Sequence, residues 1–198
     1  MGTRADSTAM RADAQRNRQR LLEAALRAFS SGEEKVSLER IAKEAGVGIG
    51  TLYRHFPTRE ALVEAVYRGE LARLRDSAEQ LLASYDPDTA LRTWMDRFAD
   101  YAAAKRGMAD TLHAVIASGA IPSTQTRDTL TTAIEGMLKA GAAAGTLRGD
   151  ADPGDVLYSL VGVFLAAGVP DQREQAGRML DLLMDGLRAP TAQGGSGA

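Results

Sequence analysis

Four side chains within one short stretch of this sequence could together recognise a polar surface. They are Thr51, Tyr53, Arg54 and His55, which belong to the stretch GVGIGTLYRHF over residues 46–56. Hydroxyl, phenol, guanidinium and imidazole groups all donate hydrogen bonds, and such groups contact phosphate oxygens and the edges of bases. A buried core does not favour Arg and His together. The chemistry that these residues could do is therefore recognition at a surface.

Three glycines stand at every second position around the start of this stretch. Gly46, Gly48 and Gly50 would each cost about 1 kcal/mol relative to Ala in a helix interior. Their density is explained if Gly46 forms a tight turn and the other two leave the start of the next helix free of side chains. A bare helix start can come close to a phosphate backbone and present its N–H groups. Gly48 and the neighbouring Ile49 therefore join the candidate contact residues.

Two short helices are expected to position these groups. Ser37 is a suitable N-cap for a helix over residues 38–45, and a second helix over residues 49–55 ends before Pro57. Two helices joined by a tight turn, with a polar outer face on the second, predict a helix-turn-helix whose second helix enters the major groove of DNA. The side chains expected to face inward are Ile41, Ala45, Val47, Leu52 and Phe56.

The rest of the chain also reads as helical, which predicts an all-α fold of about nine helices. The six prolines fall between segments of helical apolar periodicity, and no segment has a convincing strand pattern. Residues 1–11 and the tail 190–198 are predicted to be disordered. The predicted helices cover residues 12–31, 38–45, 49–55, 58–84, 88–105, 108–118, 123–145, 153–168 and 171–188.

Charge is distributed unevenly along the 198 residues, although the net charge is only −2. Residues 1–60 hold 11 Lys and Arg against 8 Asp and Glu, whereas residues 61–198 hold 13 against 18. A basic head on an acidic body is the asymmetry expected of a nucleic-acid binder. The sequence has no Cys, no apolar run near the ~20 residues of a membrane span and no signal-peptide segment. We therefore expect a cytoplasmic protein without a membrane partner.

Residues suited to catalysis or metal binding are scarce. His55 and His113 are the two histidines, Cys is absent, and no Gly-rich phosphate loop follows a strand. No pair of nucleophile and base can be assembled from these residues, and His113 has no second ligand at metal-binding spacing. We predict no enzyme activity, no cofactor and no metal site.

Several apolar side chains in the middle of the chain are candidates for a pocket that binds a small molecule. Aromatic residues and Met recur there at helical spacing, and Met adapts to irregular shapes. Part of the set would equally suit an ordinary core. The candidates are Trp94, Phe98, Tyr101, Met108, Leu112, His113, Ile116 and Met137.

The stretch AGVGIGTLYRHFPTREAL, residues 45–62, resembles the signature of the TetR family of transcriptional regulators. Two later stretches, RFADYAAAKRGMAD and AAAGTLRGDADPGDVL, resemble the SbtR-like C-terminal domain of a subgroup of that family. The resemblance implies a DNA-binding domain over residues 12–60. It also implies a domain for ligand sensing and dimerisation over residues 61–189.

The resemblance also implies roles for individual positions. Thr51, Tyr53 and His55 would contact DNA from the recognition helix, while Ser37 and Arg59 would contact phosphates. Gly48 departs from the pattern, because Ser or Thr commonly caps the recognition helix there, and this leaves the base preference open. In the family the last two helices pair with those of a second subunit. The candidate interface residues, some of which must face the protomer's own core, are Leu157, Leu160, Val161, Phe164, Met179, Leu183 and Leu187.

These features predict a ligand-responsive, DNA-binding transcriptional regulator, which we expect to be a repressor. It would bind a pseudo-palindromic double-stranded DNA operator as a homodimer and be released by an unknown small-molecule effector. An all-α sensor or carrier of an apolar small molecule, without DNA binding, is the alternative. The exposed row from Thr51 to His55 argues against that alternative.

Overall fold

The computed structural model describes residues 3–31, 36–167 and 172–189, and this part of the chain forms nine α-helices and no strand. The all-α prediction is therefore confirmed. Leu147 and Arg188 form one isolated antiparallel bridge. The helices are α1 (Thr3–Ser30), α2 (Leu38–Glu44), α3 (Ile49–His55), α4 (Arg59–Leu82), α5 (Pro87–Gly107), α6 (Ala109–Ala117), α7 (Ser123–Ala144), α8 (Pro153–Ala166) and α9 (Arg173–Leu187).

Helix α1 begins at Thr3 rather than near residue 12 as predicted. No Gly or Pro interrupts the sequence from Thr3 to Ser30, and Ala, Arg and Gln favour a helix. The segment predicted to be disordered over residues 1–11 is thus helical from Thr3 onward. The tail 190–198 lies outside the described residues.

Polar caps fix the start of several helices where the sequence indicated them. The Ser37 hydroxyl accepts a hydrogen bond from the Arg40 N–H at 3.2 Å, which caps α2. The Asp152 carboxylate accepts from Gly154 N–H at 2.7 Å, with Pro153 in the first helical position of α8. These caps satisfy backbone donors that would otherwise lack partners.

By contacts between residues the chain divides into two compact units. The first comprises residues 1–71 and 101–122, and it therefore contains the predicted helix-turn-helix together with α6. Its core includes large, fully buried side chains from α1 to α4, namely Leu21, Phe29, Ile41, Leu52, Leu62 and Tyr67.

The second unit comprises residues 72–100 and 123–198. The indole N–H of Trp94, on α5, donates to the carbonyl oxygen of Leu74 at 2.9 Å, so this buried polar group is satisfied. Arg92 on α5 pairs with Asp181 on α9 at 2.8 Å. Within the described part of the chain, no helix is both long and apolar enough to cross a membrane.

Candidate nucleic-acid interface

The turn before α3 is fixed by Gly46. This residue has a φ of 69°, in the left-handed region that glycine adopts without strain. Its N–H donates to the Lys43 carbonyl at 3.1 Å, and the Val47 N–H donates to the Ala42 carbonyl at 3.0 Å. This is the Schellman pattern that ends a helix, and it turns the chain directly into α3. The predicted role of Gly46 is confirmed.

Helix α3 has one buried side and one side that faces solvent. Leu52 is fully buried, and Phe56, which follows the helix, is also buried. On the other side Ile49 is 37% exposed, Tyr53 is 46% exposed and Arg54 is exposed. Thr51 and His55 are half-buried, at the edges of that face. The seven-residue helix thus presents a polar and apolar mixture outward.

Neither of the two glycines at the start of α3 is required by the packing of the chain itself. Gly48 is the N-cap of α3 with a φ of −71°, a conformation open to any residue. A Cβ atom at Gly48 or Gly50 would meet no atom within 4 Å. No internal packing therefore requires glycine at either position. Their effect is to leave the start of α3 bare toward solvent, which suits the close approach of an outside partner.

The charges on this surface favour an anionic partner. Arg54 has no ion-pair partner among the described residues, and Lys43, near the end of α2, is exposed. Arg40 pairs with Glu44 at 2.8 Å. The guanidinium of Arg18 on α1 lies 5.2 Å from the centre of the Phe56 ring, close to the end of α3. The described residues contain no group of three His, Cys, Asp or Glu that could hold a metal ion.

Two candidate phosphate contacts differ in their placement. Ser37 is exposed, and its hydroxyl oxygen accepts the capping bond, which leaves its own proton available to a partner. Arg59 instead points inward. Its Nη1 donates to the Val36 carbonyl at 2.6 Å and its Nε donates to the Thr111 hydroxyl at 3.2 Å. Two of its five N–H donors thus bind within the chain, and these bonds hold the half-buried guanidinium toward Val36 and Thr111.

The candidate pocket residues are divided between the two units. Trp94, Phe98 and Met137 are buried in the second unit, where the Phe98 and Phe164 ring centres are 5.7 Å apart. The remaining five, Tyr101, Met108, Leu112, His113 and Ile116, belong to the first unit.

Within the first unit, His113 is exposed rather than part of a pocket or core, because it lies on the solvent side of α6 opposite Leu112 and Val115. Tyr101 is buried, and its hydroxyl donates to the Tyr67 hydroxyl at 3.0 Å. Burial, together with the neighbouring Tyr67, raises the pKa of Tyr101 far above its usual value. The phenol therefore stays neutral and acts as a hydrogen-bonding group.

Most of the candidate interface residues on α8 and α9 pack inside their own chain. Leu157, Leu160, Phe164 and Leu187 are buried, so they are core residues of the second unit. Met179 and Leu183 are half-buried, whereas Val161 is exposed.

The apolar face that remains open consists of other residues. Leu165 is 80% exposed and Leu182 is 72% exposed, and Tyr158 and Val161 are exposed as well. Tyr158, Val161 and Leu165 stand at i, i+3 and i+7 on α8, which places them on one face. Tyr158 and Leu182 were not among the apolar residues that the sequence indicated for an interface. The sequence does contain a signal for this face. Apolar residues occupy two sides of α8, and the core of one chain can cover only one of them.

The chain matches two family models. Residues 21–66 match the model described as bacterial regulatory proteins, tetR family. Residues 86–189, more than half of the chain, match the C-terminal domain of SbtR-like transcriptional regulators.

Solved structures and a curated protein resemble the chain as well. The TetR transcriptional regulator SCO0520 from Streptomyces coelicolor is 53% identical, with a TM-score of 0.81 over 88% of this chain and 99% of that one. A TetR regulatory protein from Mycobacterium vanbaalenii is 34% identical, with a TM-score of 0.70 over 91% and 99%. The HTH-type transcriptional regulator SAB2452 of Staphylococcus aureus is 42% identical over 80 residues, which is 40% of this chain and 43% of that regulator. The chain thus spans less than half of that curated relative in the match.

Proposed function

Because the chain belongs to the TetR family of DNA-binding transcriptional regulators, we propose that it is a repressor that a small molecule releases from its operator. The homodimer would bind a pseudo-palindromic DNA site. One observation carries the proposal, namely the exposed outer face of α3 beside a bare helix start. Members of this family are transcriptional regulators rather than enzymes.

The donors of the candidate interface have different tasks in this proposal. Tyr53 and His55 would donate to phosphate oxygens, as would the exposed hydroxyl of Ser37. Phosphate contacts fix the position of the helix, whereas contacts with base edges select the sequence.

Base recognition falls to the residues at the exposed start of α3. Thr51 and Ile49 can contact base edges and the thymine methyl group. The exposed Arg54, in the last turn of α3, would instead contribute positive charge toward the phosphates. Gly48 would bring the backbone close to the DNA. Arg59 is left out of the proposed contact set because two of its N–H donors bind Val36 and Thr111.

Dimerisation through α8 and α9 is supported by their exposed apolar residues. Leu165 and Leu182 leave most of their surface in water, and burying such side chains contributes about 1.5–3 kcal/mol each. A twofold dimer brings two recognition helices to half-sites about one helical turn apart. The operator would therefore be a pseudo-palindrome.

Release by an effector is the third part of the proposal. We place the boundary between the DNA-binding domain and the ligand-sensing domain near residue 60. We place the effector site around Trp94, Phe98 and Met137, which are buried in the second unit. Helix α4 supplies residues to both units, since its residues up to Leu71 belong to the first unit and those from Ala72 onward belong to the second. An effector that prefers the released state would shift α4 and change the separation of the two recognition helices.

Footprinting on the DNA upstream of the protein's own gene tests the proposal. We expect protection of two half-sites about one helical turn apart. We also expect a compound from a small-molecule library to release the protein from the DNA and so abolish the protection. A protein that leaves that DNA and genomic fragments unprotected, yet binds an apolar molecule, would be a sensor or carrier instead. A single protected half-site would contradict the dimer.

A further inference from the structure

Arg59, the first residue of α4, contacts three different elements of the first unit. Its Nη1 donates to the backbone carbonyl of Val36 at 2.6 Å, and its Nε donates to the hydroxyl of Thr111 at 3.2 Å. Its guanidinium carbon lies 5.7 Å from the centre of the Phe29 ring. Phe29 is on α1, Val36 precedes the N-cap of α2, and Thr111 is on α6. A single side chain therefore joins the helix-turn-helix to α6.

The chemistry of these contacts suits Arg and not a simple positive charge. The planar guanidinium directs two N–H donors to two acceptors at fixed angles and also stacks on an aromatic ring. Lys has a single ammonium group and cannot keep this geometry. Val36 is buried and Phe29 is buried, so the contact is formed against the core of the unit rather than in open solvent.

We propose that Arg59 is a positioning residue that holds α6 against the helix-turn-helix, and that its effect on DNA binding passes through Thr111 and Val36 rather than through a phosphate. The inference rests on the proposed DNA binding. Val36 leads directly into Ser37 and α2, which contacts α3. Losing the Arg59 contacts would weaken the packing that holds α2 and α3 in position. The side chains that contact DNA would all still be present.

The salt dependence of DNA binding separates the two roles. Each phosphate contact that is lost reduces the slope of log K against log salt by about 0.9. We expect Arg59→Met to weaken DNA binding about fivefold or more with an unchanged salt slope. The variant loses the coupling between α6 and the helix-turn-helix, and no phosphate contact. Arg54→Met, the same chemical change at an exposed position, serves as the matched control and should reduce the slope. A reduced slope for Arg59→Met, or unchanged affinity, would overturn the inference.

Arg59→Lys and Thr111→Val complete the test. Lys keeps the positive charge, so Arg59→Lys would keep most of the DNA affinity if residue 59 contacted a phosphate. In the positioning role Arg59→Lys should bind DNA as weakly as Arg59→Met. Thr111→Val should weaken DNA binding in the same direction as Arg59→Met, and the double variant should be no weaker than Arg59→Met alone. Additive losses, or full activity of Arg59→Lys, would contradict the positioning role.

Failure of the proposed function has a different signature. If the wild-type protein itself binds no DNA, the proposed function is refuted, along with any positioning role in DNA binding. If the wild type binds DNA but the variants behave as a phosphate contact would, the positioning role alone is refuted. The wild type and the five variants compared by thermal unfolding show whether each variant is folded. They also show whether Arg59 and Thr111 are coupled, independently of DNA.

Discussion

Gly107 lies so close to the carbonyl oxygen of Phe29 that a Cβ atom at position 107 would overlap it. Gly107 is the last residue of α5, and Phe29 belongs to the last turn of α1. The overlapping atom is backbone, which cannot swing away as a long side chain could. The first unit is therefore built around a close approach that only glycine permits.

Gly107→Ala should destabilise the protein. The new methyl group forces the backbone near Phe29 to shift, and overpacking of this kind costs about 1–3 kcal/mol. Gly136→Ala, in α7, is the matched control, since a Cβ atom there meets nothing within 4 Å. We expect the control to be as stable as the wild type or slightly more so. Urea unfolding measures both, and equal stabilities would show that the close approach is unimportant.

Gly46→Ala should lower the stability of the protein, whereas Gly50→Ala should weaken DNA binding without lowering stability. Gly46 has a φ of 69°, so alanine there should lower the free energy of unfolding by about 1 kcal/mol. Gly50 lies in α3 with free space around it, so alanine there should leave stability unchanged or raise it. The added methyl group at position 50 should nevertheless weaken DNA binding, because it stands between backbone and DNA. Tight DNA binding by Gly50→Ala would argue against a close approach.

Tyr53→Ala should weaken binding to all DNA sequences alike, whereas Thr51→Ala should alter base preference. A phosphate contact carries no sequence information, while a contact with a base edge contributes about 1–3 kcal/mol of discrimination. Binding measured against the operator and single-base variants distinguishes the two effects. An equal loss of discrimination in both variants would contradict this division of roles.

Leu165→Asp and Leu182→Asp should each convert the proposed dimer to a monomer. Both side chains are exposed in the isolated chain, so a charge should not disturb its core, but burial of that charge in an interface is costly. Tyr85→Asp, another exposed apolar position, is the control and should remain dimeric. Analytical ultracentrifugation gives the masses. Dimers in all three variants would place the interface elsewhere.

Local signals predicted the range and the buried side of α3. Gly46, Ser37 and Pro57 act through the backbone of their own neighbourhood, so the sequence defined α3 over residues 49–55, the range that the structure has. The buried side of α3 followed from helical periodicity for the same reason, as Leu52 and Phe56 demonstrate.

Interactions between distant elements could not be predicted in this way. Arg59 was assigned from its position in a motif, but its direction depends on Thr111, which is on α6. The apolar stripes on α8 and α9 were visible, yet which residues face the core depends on neighbouring helices. Leu160 is consequently buried and Leu165 exposed. His113 lies in an apolar sequence but faces solvent, because α6 is covered on one side.

Cross-linking from position 53 tests the central claim most directly. A photoreactive phenylalanine analogue in place of Tyr53 would stand on the outer face of α3, and the same analogue in place of Tyr85 serves as the control. We predict that the bound complex cross-links to operator DNA from position 53 and not from position 85. Cross-linking from position 85 alone, in a protein that binds the operator, would show that α3 is not the surface that meets DNA.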